Sequence, residues 1–207
     1  MRPFLFLLLA LPLVTSAQPI FGVKSGLSVA NLYGFDDLED VGDKSPVLGF
    51  TGGVMAQLPL SPSLAVRPEV LFTMKGTQLS SDIMLGESTI ESKQTIRIHY
   101  VEIPVMARIA LPVGPFADAG LLAGPSVGFK VSESNKTEVD GVETDRPVDD
   151  IATSFDAGVA VGAEYGSGPF AVEARYMYGL VGINKNDDTV SIRNGVFSIT
   201  GAFRFGQ

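Results

Sequence analysis

An all-β fold is predicted for this chain: an eight-stranded antiparallel up-and-down barrel that crosses a membrane. Three observations predict it. Eight segments alternate apolar and polar residues with the period of two that marks a strand. The links between them alternate long and short, as in bacterial membrane barrels with short periplasmic turns and longer outer loops. One face of every segment carries no charge, while the other collects glycines and charges of both signs. A water-facing surface without charge would be abnormal, and a lipid-facing one should look like that.

The chain opens MRPFLFLLLALPLVTSAQ, with Arg2, an apolar run from Phe4 to Val14, then small residues at Thr15 and Ala17. This is the layout of a secretory signal peptide, expected over residues 1–17 and cut between Ala17 and Gln18. The run is too short for an anchoring helix, which needs about 20 apolar residues. Residues 18–207 then form the barrel domain. The chain has no Cys, so an exported domain of this size must be stabilised without disulfides; a closed sheet with every strand paired supplies that.

The strands follow in order. Over Phe21–Leu32, Phe21, Val23, Leu27 and Val29 oppose Gly22, Lys24, Gly26 and Ser28. An acidic loop, Tyr33–Pro46, precedes the second strand, Val47–Pro59. The turn Leu60-Ser61-Pro62-Ser63 leads to the third, Leu64–Gly76. There Val66, Val70, Phe72 and Met74 oppose Arg67, Glu69, Thr73 and Lys75. Pro68 lacks a ladder N–H, which predicts a bulge or bend at that point. A polar stretch, Thr77–Lys93, reads as loop.

His99–Val131 holds the central hairpin, two alternating segments around Pro112-Val113-Gly114-Pro115. Its first strand is expected over Gln94–Leu111. The apolar register flips between Tyr100 and Val101, as across a one-residue bulge. That bulge would put Arg97, His99, Glu102 and Arg108 together on the inner side. The fifth strand is Phe116–Val131, followed by the acidic loop Ser132–Asp150. Phe155–Tyr165, the turn Gly166–Pro169, Phe170–Leu180, a loop and Gly195–Phe205 complete the eight.

The inner face therefore gathers Lys24, Arg67, Glu69, Lys75, Arg97, Glu102, Arg108, Asp118, Asp156, Glu164, Glu173, Arg175 and Arg204. Charges of both signs pair inside a narrow lumen; an unpaired buried charge would be costly. Aromatic residues gather toward both strand ends, as interfacial girdles do.

Little catalytic chemistry is legible. His99, the single His, is read as an inward hydrogen-bonding partner rather than a base, since no nucleophile is placed beside it by spacing. The acidic runs Asp36-Asp37-Leu38-Glu39-Asp40 and Asp149-Asp150 lack the calcium-loop pattern and read as hydrated outer surface. No catalytic, cofactor or metal residues are assigned. A barrel of eight strands is just wide enough for side chains to fill it, so a wide pore is not expected. The net charge of −8 argues against nucleic acid. The expectation is a monomeric, non-enzymatic barrel with a structural or interaction role. Outer-membrane lipid and lipopolysaccharide are its expected partners. A lipid-modifying or proteolytic enzyme and a narrow channel are the alternatives.

Several stretches carry a resemblance. His99-Tyr-Val-Glu-Ile-Pro-Val-Met-Ala-Arg108, Gly114-Pro-Phe116 and Ala123-Gly-Pro-Ser126 resemble the PorT-like outer-membrane β-barrel family of Bacteroidota. So do Gly22–Leu32, Arg175–Leu180 with Asn184, and Asn194–Ile199. The resemblance implies a signal peptide, an eight-stranded barrel and outer-membrane residence, and it implies no catalytic residues.

Overall fold

The structure, a computed structural model, describes residues 18–33, 43–85, 88–114, 117–139, 142–146, 153–182 and 193–205. The expected signal peptide lies outside the described residues. So do Asp36, Asp37, Glu39 and Asp40 of the first acidic loop, and Asp149 and Asp150 of the second.

The strands are β1 (Ile20–Tyr33), β2 (Asp43–Pro59), β3 (Leu64–Leu85), β4 (Ser88–Leu111), β5 (Asp118–Val139), β6 (Val142–Arg146), β7 (Phe155–Ser167), β8 (Phe170–Gly179) and β9 (Arg193–Phe205). Eight of them form a ring, β1-β2-β3-β4-β5-β7-β8-β9, in which β9 returns to β1. Every pairing is antiparallel. The closing seam runs in unbroken register from Phe21 opposite Phe205 to Tyr33 opposite Arg193. Closure leaves the ring no edge, which is what lets a sheet sit in lipid with its backbone groups satisfied. β6 stands outside the ring, folded back on the outer end of β5 from Asn135 opposite Arg146 to Val139 opposite Val142.

The faces are those the charge pattern requires. In β9, Phe197, Ile199, Phe203 and Phe205 are exposed, while Ser198, Thr200 and Arg204 between them are buried. Leu27 is 59% exposed and Phe170 63%, and apolar residues like them form a belt on all eight ring strands. A water-soluble monomer seldom shows a contiguous apolar patch above a few hundred Å². Aromatic pairs line the short-turn border, with Phe170–Phe203 ring centroids at 5.3 Å and Phe203–Phe205 at 5.2 Å. Phe129 and Phe155, at 5.8 Å, mark the other border.

Strand lengths are lopsided. β8 has 10 residues, which matches the roughly 9–11 that cross a bilayer. β3 has 22 and β4 has 24. At about 3.3 Å per residue, β3 is about 70 Å of strand and must rise well beyond the membrane. Of Thr77–Lys93, expected as loop, Thr77–Leu85 and Ser88–Lys93 are instead paired strand, out to Leu85 opposite Ser88. Much of Ser132–Asp150 is likewise strand, in β5 and β6. Period two reports burial of one face. Above the membrane both faces meet water, so the backbone pairs without leaving that pattern in the sequence.

Of the two expected irregularities, the one at Pro68 inserts no residue and the one at Tyr100–Val101 moves to the neighbouring strand. At Pro68 the register does not shift: Val66 stands opposite Leu58 and Glu69 opposite Met55, while Pro68 stands opposite Val105 and Leu71 opposite Glu102. The proline interrupts pairing and turns its ring to the lipid face without inserting a residue. At Tyr100–Val101 β4 runs straight, and the extra residue lies across from it in β5. His99 faces Ser132 and Tyr100 faces Lys130, leaving Val131 unmatched. A further shift falls in β2 between Pro46 and Thr51.

Candidate functional site

The straight path of β4 decides what fills the barrel. Ile98, Tyr100, Glu102, Pro104, Met106 and Arg108 point inward, and Ile98 and Tyr100 join the lumen rather than the lipid face. Twelve of the thirteen expected inner charges are there: six cations, Lys24, Arg67, Lys75, Arg108, Arg175 and Arg204, and six carboxylates, Glu69, Glu102, Asp118, Asp156, Glu164 and Glu173. The lumen is neutral as a whole, as a buried polar core must be to avoid the cost of unpaired charge.

The charges fall into two networks. The larger begins at the short-turn end, where Arg204 donates to the Gly168 carbonyl at 3.3 Å and to Asp118 at 2.6 Å. Asp118 also accepts from Arg108 at 2.6 Å, and Arg108 Nε donates to Glu164 at 3.0 Å. Arg67 sits at the centre, fully buried, against Glu164 at 2.5 Å, Glu69 at 3.0 Å, and Glu173. Arg175 grips Glu69 with both terminal nitrogens, at 2.9 and 2.8 Å, the bidentate geometry that makes Arg–carboxylate pairs strong. Lys24 reaches Glu173 at 2.9 Å.

The smaller network lies toward the outer end. Lys75 bridges Glu102 at 2.6 Å and Asp156 at 2.8 Å, and its ammonium lies 5.0 Å from the Tyr100 ring centroid. Asn194 donates to Asp156 at 2.8 Å. Between the networks the inner face turns apolar, with Met106, Leu122, Ala160, Met177 and Val196 packed together. Thr51 and Thr73 share a hydrogen bond of 3.0 Å there. The remaining cavity at this level is about 20 Å³, room for roughly one water.

The lumen-facing glycines have a use. A Cβ on Gly120 would stand 2.9 Å from the Arg108 guanidinium, and one on Gly166 would stand 2.6 Å from an Arg204 nitrogen. Guanidinium groups fill the space a side chain would need. At other glycines the neighbouring strand itself takes the space: a Cβ on Gly26 would stand 2.0 Å from the Ile199 carbonyl oxygen and one on Gly124 2.1 Å from that of Val105.

Two residues expected inside are outside. On the straight β4, Arg97 and His99 share the outward face with Val101 and Ile103. The His99 ring stacks on lipid-facing Phe72, with centroids 5.5 Å apart and planes at 19°. Its Nδ1 shares a 3.0 Å hydrogen bond with the Ser132 hydroxyl. Sequence spacing could not bring Ser132 to His99, because the contact crosses from β4 to β5 beside the displaced bulge. No carboxylate among the described residues reaches His99. Asn194, Ile98 and Tyr100 are among the lumen residues that sequence reasoning missed, though the alternation of β9 extended back to Asn194 would have placed the first.

Among the described residues there is no group of three or more His, Cys, Asp or Glu placed to hold a metal ion. The described part of the molecule thus offers a charge-filled lumen and, at the outer border, a polar outward patch around Arg97, His99 and Ser132.

The neisserial surface protein A is similar in structure, at 17% identity and a TM-score of 0.43, covering 89% of this chain and 97% of that one. The outer-membrane protein OprG of Pseudomonas aeruginosa is similar at 9% identity and 0.45, covering 91% and 96%. The attachment invasion locus protein Ail of Yersinia pestis is similar at 14% and 0.40, covering 91% and 100%. No curated protein matches the sequence. The profile of the outer membrane protein beta-barrel domain matches residues 17–184, most of the chain. With that match and a closed, charge-filled ring of eight strands, the protein belongs to the outer-membrane protein β-barrel domain family and resides in the outer membrane.

Proposed function

We propose that the protein is a non-conducting structural and interaction barrel that works through its outward surfaces, with bilayer lipid and lipopolysaccharide as its immediate partners. The observation that carries the reading is the lumen. Its twelve charges compensate one another, and the cavity between the two networks is about 20 Å³. A hydrated ion crossing this interior would have to break several charge-assisted bonds at once. The taller wall made by β3, β4 and β5 gives the protein a platform outside the membrane. Within the family, the Glu102-Ile-Pro104 stretch and the Ala123-Gly-Pro-Ser126 strand support placing it in the PorT-like branch.

Planar-bilayer recording of the refolded protein is the test. No steps above baseline are expected at either polarity. Steady unitary conductance would refute the sealed-lumen reading.

One observation favours a second reading, acyl-ester hydrolysis at the outer face. Ser132 and His99 stand at the distance of a nucleophile and its base. The reading stays second because no carboxylate among the described residues orients the imidazole. A serine-reactive fluorophosphonate probe is expected to leave the protein unlabelled. Labelling of Ser132 that disappears in His99→Ala would move this reading to first place.

A further inference from the structure

We propose that the outward patch on β4 and β5, centred on Arg97, binds the phosphate of an outer-leaflet lipid. The inference rests on the reading of the protein as a barrel bounded by lipid, and it names the site and the ligand chemistry that reading leaves open.

The outward face of this wall changes character within one row of residues. Phe72, Val101 and Phe129 lie in register across β3, β4 and β5 and are the last fully apolar row. The next row is Met74, His99 and Ser132, and the one above it is Gly76, Arg97 and Ser134. Two further rows bring Gln78, Thr95 and Lys136, then Ser80, Lys93 and Glu138. A basic column therefore starts where the lipid-facing band stops, which is the level of lipid phosphates.

Arg97 is the distinctive member. It forms no hydrogen bond or ion pair with any described residue, and its Nε is buried without a partner. Every lumen arginine, by contrast, is bound to at least one carboxylate. Arg67, Arg193 and Arg204 also bury an Nε without a hydrogen bond, so what points to a ligand is the place of Arg97: a whole guanidinium without a partner among the described residues on this column, where the apolar band ends. A guanidinium matches the two oxygens of a phosphate, and hydroxyls beside it on Ser132 and Ser134 add neutral donors. His99 is held in place by Phe72 and Ser132 at the foot of the patch. Acidic residues enter this column only above Arg97: Asp145 opposite Lys136, Glu138 opposite Lys93 with Glu143 beside it, and Asp82 opposite Glu91. Asp145 lies one row above Arg97 and Glu138 two rows above it, so at the level of Arg97 and in the row below it the patch carries no acidic residue. Charge complementarity and contact with the apolar band select a phosphorylated lipid over a soluble anion, because a lipid satisfies Arg97 and the Phe72 row together.

The test is native mass spectrometry of the whole mature barrel in detergent, titrated with diphosphoryl lipid A and with the same lipid enzymatically dephosphorylated. Arg97→Gln should lower the diphosphoryl adduct about fivefold, the effect of one basic side chain at an anionic lipid surface. Arg97→Lys should retain most of it, and the dephosphorylated lipid should not distinguish the three proteins. Equal adducts for wild type and Arg97→Gln would overturn the proposal, and so would full displacement of the lipid by inorganic phosphate. Heat-modifiable migration of each variant shows whether it is folded. A mature protein that stays water-soluble would defeat the barrel reading itself, an outcome distinct from a folded barrel indifferent to position 97.

Discussion

Replacing Lys75 by Met is expected to destabilise the barrel by about 3–5 kcal/mol, the usual result of removing one partner from a buried ion pair. Lys75 is fully buried and stands between Glu102 and Asp156 as the cation they share. Met fills much of the same volume, so the loss measures charge rather than packing. Two carboxylates would remain in a nearly dry lumen with only the Asn194 amide to help. The same change at Arg67 should cost less, although Arg67 touches three carboxylates. Arg108 still holds Glu164, Arg175 still holds Glu69 and Glu173, and Lys24 still holds Glu173. The midpoint of urea unfolding, followed by heat-modifiable migration, measures both variants. Adding Asp156→Asn to Lys75→Met should recover at least about 1 kcal/mol, the coupling expected of residues in one network. A Lys75→Met midpoint equal to that of the wild type would show that water already screens these groups.

The difference between the two networks also bears on what the sequence could reveal. Lys24, Arg67, Glu69, Lys75, Glu102, Arg108 and the other lumen charges were legible because each lies on a strand with lipid on one face. There, apolar residues alternate with everything else, and the charged face has only one place to go. Which carboxylate meets which cation was not legible. Arg67 and Glu164 are 97 positions apart, and only the closed ring brings them together.

His99 and Arg97 show where the signal ends. Ile96, Ile98 and Tyr100 are apolar at even positions and Val101, Ile103 and Val105 at odd ones, so a flip in β4 was the economical reading. It assumed that apolar always means outward. Ile98 and Tyr100 are apolar residues that close the outer end of the lumen, 1% and 0% exposed. Past that level the outside is water and headgroup, and apolar side chains no longer mark it. The bulge lies at the height the pattern predicts but in β5 rather than β4, because alternation in β4 contains no information about an extra residue in β5. The same loss of contrast hid the outer halves of β3, β4 and β5.

Arginine placed on the lipid face separates this architecture from a water-soluble barrel of the same strand order. Leu27 lies midway along β1, outward, between Phe50 of β2 and Ile199 of β9. Leu27→Arg is expected to cost about 2–4 kcal/mol, the price of a guanidinium at the bilayer midplane. Val131→Arg, at the outer border, should cost only about 0–1 kcal/mol, since a long side chain there reaches the headgroups. The two residues are almost equally exposed, 59% and 60%, so a protein surrounded by water would treat the substitutions alike. Unfolding of both variants from phospholipid vesicles gives the comparison. Depth, not exposure, is the variable that separates them: a large cost at Leu27 with a small one at Val131 requires a low-dielectric slab around the middle of the ring. Equal small costs would mean the apolar belt faces something other than lipid.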